Sequence, residues 1–325
     1  MEASILDVFI GSKVVVIGDV MIDKYLTGRI DRISPEAPVP IVNLKSRESR
    51  LGGAANVTLS IKALEAEPIL FSVVGNDENA SLLESLLNEN KISSKYLLKS
   101  KERKTTIKSR ILASNQQILR VDEEDTHAIS SQEEERLLKN IIQVLNNDQV
   151  SVIILQDYNK GMLTPSLVAK IIEVARQKGI PTVVDPKKDN FWCYKGVTCF
   201  KPNLKEVREA LNREVSVTET DLDQVHADLH SRLQNELSLI TLSEDGIFCA
   251  GKKESIWLPT QSRKITDVCG AGDAVIAIVA LSIAHGIEVE DMCKLANMAG
   301  GQVCERVGVV PIQKSQLCRE LGTNA

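Results

Sequence analysis

Six short aliphatic runs set the limits on how this chain can fold: residues 13–17, 68–74, 151–155, 181–184, 197–200 and 237–242. Longer segments with helical apolar spacing lie between them, among them 54–66, 133–145, 165–178 and 204–211. Strands this short and continuously apolar are buried on both faces. Alternating with helices, they make a parallel sheet covered on each side. Aromatic residues are 3% of a chain that is 43% hydrophobic, so its core must be built from Val, Ile, Leu and Ala. The predicted class is α/β, a mostly parallel central sheet with helices on both faces.

Five of the runs end in polar residues. Residues 13–17 lead to Gly18, Asp19 and then Asp23, and 151–155 to Gln156, Asp157, Tyr158, Asn159, Lys160 and Gly161. Residues 181–184 lead to Asp185 and Lys187, 197–200 to Lys201 and Asn203, and 237–242 to Ser243, Glu244, Asp245 and Gly246. A single Asp after a strand is often a turn or cap residue. Five polar tails are expected to converge, because open parallel sheets bind ligands at the carboxyl ends of their strands. Two segments break the rhythm. Residues 22–44 are extended and Pro-rich, and 104–121 alternate as a strand does, through Thr106, Lys108, Arg110 and Leu112. Both are predicted to lie outside the main sheet as a small β lid over the strand ends, within one domain covering 1–325.

The net charge of −5, from 39 basic and 44 acidic residues, argues against a nucleic-acid or membrane partner. Seven cysteines with no C-x-x-C pair read as free thiols in a reducing cytosol. Residues 1–9 carry acids where a signal peptide carries bases, and the longest apolar stretch, 274–284, is too short to span a bilayer. A soluble cytoplasmic protein is expected. His226 and His230 share helical spacing but lack a third ligand, which favours an exposed helix face over a metal site.

Two glycine elements carry chemistry. In Thr266-Asp267-Val268-Cys269-Gly270-Ala271-Gly272-Asp273, the glycines let the backbone turn tightly into an apolar helix. The N–H groups of Gly270, Ala271 and Gly272 can then face a developing negative charge. Asp273, in the first turn, can take a hydroxyl proton there, or can simply offset the helix dipole. Gly52-Gly53-Ala54-Ala55-Asn56 opens a second helix, where Asn56 offers a ligand both donor and acceptor. Neither element is a dinucleotide fingerprint, and no P-loop is present. Asn203 and Glu206 have the spacing of a helix capping box.

These two elements resemble the signatures of the ribokinase-like sugar kinases, and the resemblance runs from about residue 14 to 310. The family's usual Asp-Thr appears here as Asp267-Val268-Cys269, which takes a hydroxyl out of the loop. Residues 18–25, 32–40, 114–120 and 156–161 are similar to the D-glycero-D-manno-heptose 7-phosphate kinases within that family. The resemblance implies a ribokinase-like sandwich using ATP and Mg²⁺, with Asp273 as general base and Gly270, Ala271 and Gly272 as the anion hole. It implies a nucleotide site at Asn203, Leu204, Lys205, Glu206, Ser243, Glu244, Gly246 and Asn297, with Glu206 holding Mg²⁺ through water. The phosphosugar is expected under the lid, against Asp19, Asp23, Gly52, Gly53, Asn56 and Asp185. Lys160 and Arg110 are the leading candidates for its phosphate, with Lys104, Lys108 and Arg120 of the lid segment and Lys187 beside them. The implied product is the 1,7-bisphosphate of ADP-heptose synthesis for lipopolysaccharide, and the implied assembly a homodimer through the lid. A kinase for another sugar or nucleoside, or a silent sugar-binding regulatory relative, are the alternatives. Some relatives add a nucleotidyltransferase domain with a His-x-Gly-His element. None of His127, His226, His230 and His285 sits in one, so a kinase alone is expected.

Overall fold

Val14 and Val16 point to one side of their strand and Val15 and Ile17 to the other, and all four are completely buried. That period-two alternation, apolar on both sides, makes this strand the spine of a covered sheet. In the computed structural model, which describes residues 3–114, 116–252 and 254–323, it is β1 (Lys13–Gly18). The remaining strands, in chain order, are β2 (Val20–Ile33), β3 (Pro40–Gly53), β4 (Glu67–Gly75), β5 (Leu97–Ser100), β6 (Ile107–Ala113), β7 (Gln116–Glu123), β8 (Val150–Gln156), β9 (Thr182–Asp185), β10 (Cys199–Phe200), β11 (Leu237–Thr241), β12 (Ile247–Ala250) and β13 (Ser255–Leu258). The helices are α1 (Ala54–Ala63), α2 (Glu78–Glu89), α3 (Ser131–Asn147), α4 (Pro165–Gln177), α5 (Leu204–Leu211), α6 (Glu219–Leu233), α7 (Ala271–Ala284), α8 (Val289–Cys304) and α9 (Lys314–Thr323).

Among the described residues the main sheet has the order β13-β12-β11-β10-β9-β8-β1-β4-β5. It is parallel from β5 to β11 and ends in an antiparallel hairpin, β12 and β13. Val14 and Val16 pack with α1, α2, α7 and α8, while Val15 and Ile17 pack with α3, α4 and α6. Helix α7 is buried without interruption from Asp273 to Ser282. A helix apolar all round belongs inside a core, so its polar first turn is held rigidly. No helix among the described residues is long and apolar enough to cross a membrane.

A second sheet, ordered β3-β2-β6-β7, rises from the end of β1, with only Asp19 between β1 and β2. It exceeds the predicted lid segments 22–44 and 104–121. The β2–β3 ladder runs from Ile33 opposite Pro40 to Val20 opposite Gly53, so the Gly52-Gly53 pair closes a strand before α1 begins. Asn115, in the 114–120 stretch, lies outside the described residues, as do Met1 and Glu2. Ile33, Val39, Leu44, Leu119 and Val121 are exposed on this sheet and its turn. The His226–His230 pair differs from the expected exposed face. It is half-buried, with His226 Nδ1 at 2.9 Å from Ser238 Oγ and His230 Nδ1 at 2.7 Å from the Asn235 carbonyl.

Candidate active site

The polar tails of β8 to β11 meet the start of α7 around a cavity of about 190 Å³. Tyr158 follows β8, Asp185 ends β9 with Lys187 just beyond, Lys201 and Asn203 follow β10, and Thr241 ends β11; Gly270, Gly272 and Asp273 close the cavity. Gly270 caps α7 with φ 83°, a left-handed turn that L side chains avoid. The loop before it lacks the family's threonine, and Asp267 orders it instead. Its Oδ1 accepts from Cys269 N–H at 3.0 Å and its Oδ2 from Gly308 N–H at 2.9 Å. Ala271 N–H differs from the expected anion hole, because it donates to the Val268 carbonyl at 3.3 Å. The N–H groups left open at this turn are those of Gly270, Gly272 and Asp273.

Asp273 is buried, with both carboxylate oxygens engaged. Oδ2 accepts from Asn56 Nδ2 at 2.7 Å, and Oδ1 accepts from the Tyr158 hydroxyl at 2.7 Å and Gln156 Nε2 at 3.4 Å. Burial pushes its carboxyl up to about 6, against the pull of Asn56 and Tyr158. Asn56 is therefore a partner of Asp273 through its amide nitrogen, while its Oδ1 is buried without a protein partner.

Opposite lies a chain of charges. Lys187 pairs with Glu206 and sits 3.8 Å from Asp185 Oδ1, and the buried Lys201 is 3.1 Å from Asp185 Oδ2. Burial raises the Asp185 carboxyl, but the Lys201 and Lys187 ammonium groups outweigh it and hold it below the ordinary value. Lys187 and Asp185, expected with the sugar, thus line the cavity beside Asn203. Glu206 meets the capping-box expectation and also makes an ion pair. It closes the capping box, accepting from Asn203 N–H at 2.9 Å, while pairing with Lys187. Leu204 packs into the core and the Lys205 side chain is 85% exposed, 3.9 Å from Glu209, so neither side chain faces the cavity.

Toward the second sheet, Asp23 and Arg110 form a buried ion pair beside Tyr25, whose ring lies 5.5 Å from the guanidinium. Gly52 is required here, since a Cβ would collide with Asp23 Oδ2. Gly53 is the N-cap of α1. Asp19, expected against the sugar, points elsewhere. Its carboxylate accepts from the backbone N–H groups of Tyr158, Lys160 and Met162 at 2.9, 3.2 and 3.3 Å. Lys160, expected to be open to a phosphate, is paired with Glu124 at 2.7 Å. Tyr158, Gln156 and Lys201 were not singled out from the sequence, although each sits in a polar tail.

A larger cavity of about 420 Å³ lies by β13, between Leu258, Pro259 and Lys294, Asn297, Met298 of α8. Asn297 Nδ2 donates to the Pro259 carbonyl at 2.8 Å, and the Ser243 carbonyl accepts from Thr260 at 3.1 Å. Gly246 lies against the Leu258 carbonyl, and Glu244 is exposed. The segment 258–260 thus connects the predicted residues Ser243, Gly246 and Asn297.

This chain belongs to the pfkB family of carbohydrate kinases, whose model matches residues 12–315. Membership implies ATP as phosphoryl donor. The chain is 41% identical over 295 residues to the bifunctional protein HldE of Aliarcobacter butzleri, and 40% over 312 residues to that of Methylobacillus flagellatus. The alignments cover 91% and 95% of this chain but 61% and 63% of the relatives, so it spans less than two thirds of their length. Phosphofructokinase-2 from Escherichia coli, solved with potassium, superposes with a TM-score of 0.79 at 17% identity, covering 96% of this chain and 99% of that one. Ribokinase from Arabidopsis thaliana, solved with ribose and ATP, gives 0.74 at 16% identity, with the same coverage. At such identities the likeness shows a ribokinase-like fold.

Proposed function

We propose that the chain transfers the γ-phosphoryl group of ATP to the anomeric hydroxyl of D-glycero-D-manno-heptose 7-phosphate, giving the 1,7-bisphosphate of ADP-heptose synthesis. The observation that carries the kinase chemistry is the buried Asp273 at a helix start with open N–H groups, across a cavity from Lys187 and Lys201. Asp273 takes the proton of the attacking hydroxyl as its oxygen bonds to the γ-phosphorus. The bond to the bridging oxygen breaks and ADP leaves with the electron pair. The open N–H groups and the two lysines stabilise charge on the phosphoryl oxygens, the main contribution in this chemistry. The four stretches similar to heptose 7-phosphate kinases and the identity to HldE proteins support the choice of sugar.

In this reading residues 1–325 are one kinase unit. The second sheet is a lid over the sugar, and its exposed Ile33, Val39, Leu44, Leu119 and Val121 form the contact of a homodimer. No cluster of three metal-ligating side chains occurs among the described residues. That fits Mg²⁺, which keeps several waters and is held by substrate phosphates with one or two carboxylates. Glu206 and Asp185 would hold it, and bound there it neutralises phosphate charge. The acceptor's 7-phosphate adds roughly two negative charges, for which Arg110, Lys108 and Lys160 are the candidates. Each now faces a carboxylate, Asp23, Asp122 or Glu124, that a phosphate can replace.

An ADP-release assay with heptose 7-phosphate and unphosphorylated heptose tests the assignment. The phosphorylated sugar should be used far better, and Arg110→Ala or Lys160→Ala should narrow the gap. Equal use of both by the wild type sinks the phosphosugar reading and leaves a plain sugar kinase.

A further inference from the structure

Tyr158 plays no part in the transfer described above, yet it touches the proposed base. Its hydroxyl donates to Asp273 Oδ1 at 2.7 Å, and its ring lines the cavity with the Lys187 ammonium 5.7 Å from the ring centroid. The other donor to Oδ1, Gln156 Nε2, is at 3.4 Å and also serves Asp185 Oδ2 at 3.1 Å. Tyr158 is itself held by the polypeptide. The buried Asp19 accepts from its N–H, and from those of Lys160 and Met162, so one carboxylate fixes the turn that carries the phenol. The charged groups around this pair are Asp185 and Lys187 from the end of β9, Lys201 after β10, and Asp23 from β2.

We propose that Tyr158 is a positioning residue for Asp273, and that Asp19 acts on Asp273 through it. Pinning Oδ1 while Asn56 pins Oδ2 leaves the carboxylate a single orientation toward the acceptor hydroxyl. A donor to the ionised form also favours that form, so the phenol keeps a buried acid deprotonated where it is needed. Its effect on rate rests on Asp273 being the base, whereas its effect on the ionisation of Asp273 does not.

The two effects are read separately in the full chain. Carbon-13 NMR of labelled aspartate follows the Asp273 carboxyl, identified by its loss in Asp273→Asn. The pH profile of kcat/KM with ATP and heptose 7-phosphate follows the rate. Tyr158→Phe removes one oxygen and keeps the ring. It should move the Asp273 titration upward by about one pH unit or more, the value of a hydrogen bond to a charged group. The acid limb of the rate profile should follow, with kcat falling more than the sugar KM changes. Asp19→Asn should shift the titration the same way, and should add nothing in the Tyr158→Phe background. Asp273 titrating in Tyr158→Phe as it does in the wild type overturns the proposal. An Asp19→Asn shift that persists without the phenol overturns the part assigned to Asp19. A displaced NMR titration with an unmoved rate profile supports Tyr158 and removes Asp273 from the role of base instead.

Discussion

Asn56 on α1 and Asp273 on α7 are 217 positions apart in the chain and 2.7 Å apart in space. The two glycine-rich elements therefore form a single site around one carboxylate. Only the amide nitrogen of Asn56 is used, and its Oδ1 stays buried without a protein partner.

Replacing Asp273 by Asn preserves the shape of the site and removes the proton acceptor. Turnover should fall by about 10²–10⁴, the usual contribution of a positioned base, with substrate binding retained. Steady-state kinetics and nucleotide titration measure the two, and a variant within a few-fold of wild-type turnover removes Asp273 from the base role.

The same substitution has a signature in stability. The folded pKa of Asp273 is raised from 3.8 to about 6, so its carboxyl favours folding fully below about pH 4, and that contribution is lost as pH rises through 6. Above that the buried charge costs up to roughly 3 kcal/mol. Asp273→Asn should therefore gain stability relative to wild type from pH 4 to pH 7, reaching a plateau above. Urea unfolding across this range checks it, and a difference independent of pH refutes it.

Glu206→Gln separates the two uses of that side chain. Gln at this position still completes a capping box, so Tm should change little beyond the loss of a part-buried ion pair with Lys187. The Mg²⁺ concentration needed for half-maximal rate should rise several-fold. A drop in Tm with unchanged Mg²⁺ dependence leaves Glu206 a structural residue only.

Two glycines should respond in opposite ways. A Cβ at Gly52 collides with Asp23, so Gly52→Ala should cost about 1–3 kcal/mol and weaken sugar binding. A Cβ at Gly272 comes within only 3.6 Å of Asp185 Oδ2 and 3.7 Å of Lys201 Nζ, both ordinary contacts. Gly272→Ala should then stabilise α7 by about 0.5–1 kcal/mol, yet lower kcat by intruding where the phosphoryl group must pass. Melting curves and kinetics on the pair test this contrast.

The sheet, its covering helices and the convergence of the tails of β8, β9 and β10 on one cavity were legible, because strand burial and helix spacing are written in local periodicity. Asp19 after β1 and residues 243–246 after β11 lie away from that cavity. Partner choice was not legible. Asp19 and Asp23 both follow β1, and nothing local says that one carboxylate turns to the backbone of residues 158–162 while the other meets Arg110. Lys160 looked open to a ligand because its partner, Glu124, lies beyond β8 and α3 in the chain. Tyr158 sits in one of the expected polar tails, but its bond to Asp273 depends on α7 arriving from much later in the chain. The capping box was legible for the opposite reason: Asn203 and Glu206 are one helical turn apart.

The placement of β1 sets a timetable for biosynthesis. β1 lies inside the sheet, and one of its two neighbours is β8, with Lys13 opposite Val150. At translation rates of about 5–20 residues per second, roughly seven to twenty-seven seconds separate the two strands. Until β8 emerges, one apolar edge of the nascent sheet stays open to other chains. Asp273 is made later still, after β1 and β4 to β11, so most of the parallel scaffold can pair before its reactive carboxylate exists.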